Sequence, residues 1–249
     1  MISIIAFITV FTIVVLIHEL GHFIAARRVG VKVYEFSIGF PFSTKIITLF
    51  KHKETEFTLR LLPLGGFVSF SKDGYEDAKE LFEASYLNRA FIMSAGSVFN
   101  IFFAFLVFAA VFVLGKHLSL LDSILLSMET MWLIFSGTVG FIFNVFSGSG
   151  SMEGLSGPVG IASIAGQAAS KGILNLVYFT GVLSMSLGIM NLIPFPALDG
   201  GQLFMLLIEA VRRKPLDLKF YQIVNIFGIT LFVILTIVVT YRDIARLIA

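Results

Sequence analysis

Four stretches of this 249-residue sequence are long and apolar enough to cross a lipid bilayer: residues 2–26, 91–115, 173–195 and 221–241. A spanning helix needs about 20 predominantly apolar residues. No water reaches backbone amides at that depth, so each segment has to close its hydrogen bonds within a helix. The predicted fold class is an all-α polytopic membrane protein with four transmembrane helices. Composition points the same way, with 57% hydrophobic residues, 14% charged residues and a mean hydropathy of +0.94. Soluble domains carry about one-quarter charged residues. The lipid bilayer is an expected partner and nucleic acid is not. Cysteine is absent, which excludes disulfides and leaves His, Asp and Glu as the side chains able to hold a zinc ion.

The first apolar run lacks the basic start of a secretory signal and ends through Ala25-Ala26 at Arg27-Arg28, so it reads as a retained helix. Residues 119–146 are apolar but include Asp122, Glu129 and several Ser, Thr and Gly. The expectation there is an amphipathic helix lying in the outer interface. Lysine and arginine are unevenly spread, ten between residues 27 and 90 and four between 212 and 219, against two between 116 and 171. The positive-inside rule then places the segments after the first and third spans in the cytoplasm, with both termini outside.

Residues 33–70 have a different texture. Val33–Ile38 and Thr55–Arg60 alternate β-branched or aromatic residues with polar ones, and Pro41, Pro63 and Gly65-Gly66 interrupt them. This is the pattern of one or two β-hairpins beside the first span. The charged stretch from Lys72 to Glu83 reads as a solvated surface. A single domain without internal repeats is expected.

The chemistry is concentrated in His18-Glu19-Leu20-Gly21-His22, an H-E-x-x-H sequence on a helix. Histidines four apart share a face, so both imidazoles can reach one metal ion, and Glu19 can take a proton from metal-bound water. Ionisable groups inside a span cost about 2.5 kcal/mol or more apiece on insertion scales. Three of them within five residues call for a strong partner. A divalent cation is one; a polar cluster satisfied by neighbouring helices is the blander alternative.

A catalytic zinc site typically adds a third protein ligand. His52 lies in a charged turn, His117 at an outer boundary and Glu129 in the outer segment. Asp199, within Pro194-Phe195-Pro196-Ala197-Leu198-Asp199-Gly200-Gly201, is the acid at matching depth. Taken alone it reads equally well as a helix cap; beside the H-E-x-x-H motif it reads as the third ligand.

At these positions the chain resembles the site-2 protease family, in its bacterial branch of regulated-intramembrane-proteolysis metalloproteases. That family pairs an early H-E-x-x-H with a late N-x-x-P-x-x-x-L-D-G, here Asn191-Leu192-Ile193-Pro194-Phe195-Pro196-Ala197-Leu198-Asp199-Gly200. Other matches are Ile38-Gly39-Phe40, Thr55-Glu56-Phe57, Pro63 to Phe67, Arg89 to Asn100 and Ser156 to Ile161. The resemblance implies one Zn2+ ion held by His18, His22 and Asp199, with Glu19 as general base. It also implies that 33–70 is the family's membrane-associated β-hairpin region, with substrate binding by Asn191 and by Thr55, Phe57, Gly65 and Gly66 of that region. The implied activity is that of an intramembrane zinc endopeptidase acting on single-pass membrane proteins or signal-peptide-like remnants. The implied place is the bacterial inner membrane, with the site towards the cytoplasm.

The chain departs from the family pattern in three places. Gly39-Phe40-Pro41 stands where G-F-G-P is frequent, and Ala95-Gly96-Ser97 where Ala-Gly-Pro is usual. About 40 residues separate Gly115 from Ser156, too few for the PDZ domain many members carry, since domains are typically about 100 residues. Rival classes are a membrane zinc transporter, which needs several polar spans, and a catalytically inactive scaffold, which would leave Glu19 a coincidence. A membrane protease with its catalytic domain outside the bilayer would need a Glu ligand on a soluble helix.

Overall fold

The computed structural model describes residues 2–41, 43–62, 65–71, 79–147 and 156–248. In chain order the elements are α1 (Ile2–Arg28), β1 (Glu35–Ile38), β2 (Lys45–His52), β3 (Thr55–Arg60), β4 (Gly66–Ser69), α2 (Lys79–Glu83) and α3 (Tyr86–Lys116). They continue with α4 (Leu120–Phe146), α5 (Pro158–Ser170), α6 (Ile173–Asn191), α7 (Asp199–Arg212) and α8 (Leu218–Ile248).

Lipid tails are as apolar as leucine, so helices in a bilayer associate through close packing at small residues. α1 and α3 cross antiparallel at Gly21, where an added methyl group would meet the Ala95 carbonyl oxygen at 2.5 Å. α6 runs antiparallel to α3, with Gly115 facing Leu174, Gly181 facing Phe108 and Gly188 facing the Ser97 carbonyl. Ala104, Phe108, Phe112, Met185 and Ile189 are buried in that seam.

α8 returns in the opposite sense, Tyr221 meeting Arg89 near its start and Gly228 meeting Pro196. Its far end reaches α5, where the Gly160 N–H donates to Asp243 at 2.7 Å. Ser3, at the start of α1, packs on Gly166 of the same short helix. The start of α1 and the end of α8 therefore share one end of the bundle.

Among the described residues, five helices are long and apolar enough to cross a membrane, not four: α1, α3, α6, α8 and residues Leu120–Val145 of α4. The helix expected at 119–146 forms as the 27-residue α4, which has spanning length. It packs on the α3–α6 seam through Leu126, Met131 and Ile134. Several of its hydroxyls are satisfied without water. Ser127 donates to the Ser123 carbonyl at 2.6 Å and Thr130 to the Leu126 carbonyl at 2.8 Å, so the polar residues are paid for by the helix's own backbone. The span expected at 173–195 stops at Asn191, because Pro194 and Pro196 cannot continue a helix.

The 33–70 region is a four-stranded sheet of order β2-β3-β1-β4. Of the expected hairpins one forms, β2–β3; β1 instead pairs parallel with β3 and antiparallel with β4. β3 is interior and β4 is a terminal strand. Lys32 and Glu80 form an ion pair at 2.7 Å that ties α2 to the chain leaving α1. Of the charged stretch expected from Lys72 to Glu83, residues 72–78 lie outside the described residues.

Candidate metal centre

The H-E-x-x-H segment occupies the C-terminal half of α1, and both histidines are buried, at 7% and 8% exposure. The α3 backbone passes directly against them at Gly96. Asp199 comes from elsewhere. After α6 ends, residues 192–198 fold over the start of α7, where methyl groups on Gly200 and Gly201 would collide with the backbone of Leu192, Ile193 and Phe195. Those two glycines let the loop close down and carry Asp199, the first residue of α7, into the bundle. A fifth helix of spanning length does not separate Asp199 from the histidines: α6 ends level with His18, and the three groups meet.

Asp199 Oδ2 lies 3.0 Å from His18 Nε2 and 3.3 Å from His22 Nε2, and the two Nε2 atoms are 3.2 Å apart. Ligands about 2.0–2.1 Å from a tetrahedral zinc stand about 3.3 Å from one another. Oδ2 is buried and finds no hydrogen-bond partner among the described residues, and His22 donates its Nδ1 proton to the Ile92 carbonyl at 2.8 Å, which leaves a lone pair on its Nε2. Three lone-pair atoms aimed at one point, one of them an orphaned carboxylate oxygen, are the donor set a divalent cation satisfies. Among the described residues no other group of three His, Asp or Glu side chains converges in this way. His52 sits at the end of β2, His117 caps α3 and Glu129 is exposed on α4.

Glu19 lines the cavity beside these three donors, together with Phe67 and Val68 of β4 and Gln202 of α7. The backbone of Val68 hydrogen-bonds the Glu19 carboxylate. Gly66 lets β4 approach this closely, since a methyl group there would meet the Ser37 carbonyl at 2.8 Å and Leu16 of α1 at 3.1 Å. Gly65 opens the strand at φ +99, a left-handed conformation that suits glycine. Asn191 also reaches the centre, its Nδ2 3.3 Å from His18 Nε2.

The other two hairpin residues do not reach it. Thr55 is buried in β3 with its hydroxyl donating to the Val33 carbonyl at 2.6 Å, and Phe57 stacks on Phe50 with ring centroids 4.3 Å apart. Both build the sheet. Sequence reasoning gave no role to Gly96, Asn100 or Gln202. Signals existed for two of them: Gly96 is a glycine inside the second apolar run, and Asn100 closes the Arg89 to Asn100 stretch that matches the family.

An H-E-x-x-H helix joined by an acid from a second helix, sunk among helices of spanning length, defines a membrane metalloprotease. Residues 6–235 match the profile of peptidase family M50, and the chain belongs to that family, the site-2 proteases. A protein named as a candidate zinc metalloprotease in Clostridium acetobutylicum is 29% identical over 97% of this chain and 97% of its own length. One named likewise in Clostridium perfringens is 27% identical over 94% of this chain and 96% of its own length. Zinc metalloprotease RasP of Shouchella clausii is 44% identical over 41% of this chain and 25% of its own length. The chain is a zinc metalloprotease and a multi-pass membrane protein.

Proposed function

We propose that this protein is an intramembrane endopeptidase with one zinc ion, cutting peptide bonds within or beside the transmembrane segments of single-pass membrane proteins or signal-peptide-like remnants. The observation that carries this reading is the convergence of His18, His22 and Asp199 inside the helix bundle, next to a terminal strand. An intact substrate helix hides each carbonyl in a backbone hydrogen bond and is about 10–12 Å wide. The cavity is about 210 Å³, room for an extended segment's side chain and water but not for a helix.

β4, rather than β3, is the strand on which an unwound segment would pair, since β3 already has neighbours on both sides. Pairing there holds the peptide against Glu19, with Asn191 placed to hydrogen-bond its backbone. A bound zinc ion supplies Lewis acidity towards water and the scissile carbonyl. Glu19 takes the proton of the attacking water and delivers it to the leaving amine as the C–N bond breaks and a C–O bond forms. Gly65 and Gly66 serve the substrate by letting β4 lie this close.

The lysine and arginine distribution supports a cytoplasmic sheet and both termini outside, and the Clostridium and Shouchella relatives support a bacterial inner (plasma) membrane setting. The alignment with the Clostridium acetobutylicum relative runs over 332 positions, more than the 249 residues here, which supports a short form without a PDZ domain.

The test is cleavage of a synthetic single-pass peptide by purified protein in liposomes. Glu19→Gln is expected to keep zinc and lose activity about 100-fold or more, the usual contribution of a general base. Full cleavage by Glu19→Gln overturns the mechanism. Zinc flux without cleavage by the wild type would make the chain a transporter.

A further inference from the structure

Asn100 has no part in the chemistry described so far. It lies on α3, fully buried at 0% exposure, and its backbone carbonyl accepts from the Ser184 hydroxyl at 2.9 Å. Its carboxamide faces the His18 ring. Nδ2 stands 3.5 Å from His18 Nδ1, and Oδ1 has no hydrogen-bond partner among the described residues.

His18 turns its other nitrogen to the cluster, Nε2 lying 3.0 Å from Asp199 Oδ2. A ligating Nε2 must present a lone pair, which puts the ring proton on Nδ1. That proton needs an acceptor. His22 has one in the Ile92 carbonyl, 2.8 Å from its Nδ1. For His18 the group in the equivalent place is Asn100.

The two ends of a carboxamide have the same shape, and the hydrogen-bond network decides which end meets a neighbour. Turned with Oδ1 towards His18, the amide gives its orphaned oxygen a donor and frees the Nε2 lone pair. Turned the other way, it donates to Nδ1 and forces the proton onto Nε2, against the other donors of the cluster. We propose that Asn100 is the positioning residue of His18: its Oδ1 accepts the Nδ1–H and so sets the tautomer and ring orientation in which His18 binds zinc. This rests on the zinc reading, and the two can fail separately.

Zinc affinity is measured on the purified full chain in detergent by chelator competition. Removing an outer acceptor of a ligating histidine weakens metal binding about 10–100-fold, and Asn100→Leu is expected to lose about that much. Asn100→Asp, whose carboxylate can accept but not donate, is expected to bind zinc at least as tightly as the wild type. Wild-type affinity in Asn100→Leu overturns the proposal, as does an Asn100→Asp loss as large as that of Asn100→Leu. The wild type gives an independent reading that no misfolded variant can confuse. Nitrogen-15 histidine NMR of the zinc-loaded chain is expected to show His18 protonated at Nδ1, and a proton-free Nδ1 overturns the proposal. A wild type that binds no zinc overturns the zinc reading itself, before any substitution is made.

Discussion

Gly96 lies so close to His22 that a methyl group on it would clash with the Nε2 atom, and would also meet His18 Cε1 at 2.6 Å. The α3 backbone is the wall against which both imidazoles rest. Gly96→Ala is expected to displace the rings and abolish stoichiometric zinc in the purified protein. Gly137 on α4 has open space around its Cα, so Gly137→Ala should leave zinc unchanged and add up to about 1 kcal/mol of helix propensity. Metal analysis of the two variants side by side separates contact from composition.

Asp199→Asn keeps the size of the side chain and removes its charge. If Asp199 is the third ligand, zinc content and cleavage fall together. If it serves as a helix cap, both survive, because Asn caps about as well as Asp. Metal analysis and peptide cleavage on one preparation decide between the two.

Proline distinguishes the two strands as docking edges. Thr58 sits in the interior strand, fully buried, its hydroxyl donating to Glu35 at 2.6 Å. Thr58→Pro should therefore disrupt the sheet and lower the yield of folded protein. Val68 lies on the terminal strand with its backbone turned to Glu19. Val68→Pro should leave zinc and folding near wild type while cleavage falls, because the edge-strand donor that holds the Glu19 carboxylate is gone. Unchanged cleavage by Val68→Pro would count against β4.

Arg89 and Glu209 form an ion pair at 2.6 Å with side-chain exposures of 3% and 1%, and Arg89 also donates to the Tyr221 hydroxyl at 3.1 Å. This clamps the start of α3 to α7 and α8. Removing one partner leaves a buried charge, and Glu209→Leu is expected to cost about 3–5 kcal/mol. Adding Arg89→Met should restore a large part of that. Thermal unfolding in detergent reads both.

The native chain has no cysteine, so single cysteines report orientation cleanly. With the sheet in the cytoplasm, a cysteine replacing Lys53 in the β2–β3 turn should be protected from impermeant reagents in intact cells. One replacing Lys171, at the opposite end between α5 and α6, should react. The reverse pattern would invert the proposed topology.

The ligands were legible because their cost was legible: three ionisable groups within five residues of a span call for a strong partner, and histidines four apart point that partner to a cation. Asp199 could be found because prolines and glycines broke the chain at matching depth. The spanning length of α4 was hidden, because residues such as Ser127 and Thr130 count as polar in the sequence yet donate to carbonyls one turn back. The place of β3 was hidden for a different reason. Alternation identifies a strand but not its neighbours, and β1 reaches β3 through a parallel pairing that skips the hairpin between them. Asn100 and the Arg89–Glu209 pair depend on contacts across the bundle, which one sequence does not reveal.

Asp199 sits at the head of α7, late in the chain, and its loop is braced by Gly228 of α8 lying against Pro196. During synthesis, a ribosome that has released only α1 to α6 has delivered two imidazoles and a general base with no carboxylate to complete them. With Asp199 as the third ligand, such a nascent protein holds only part of its metal site, and so does any product terminated before Asp199. The site is then assembled only once α7 has been made.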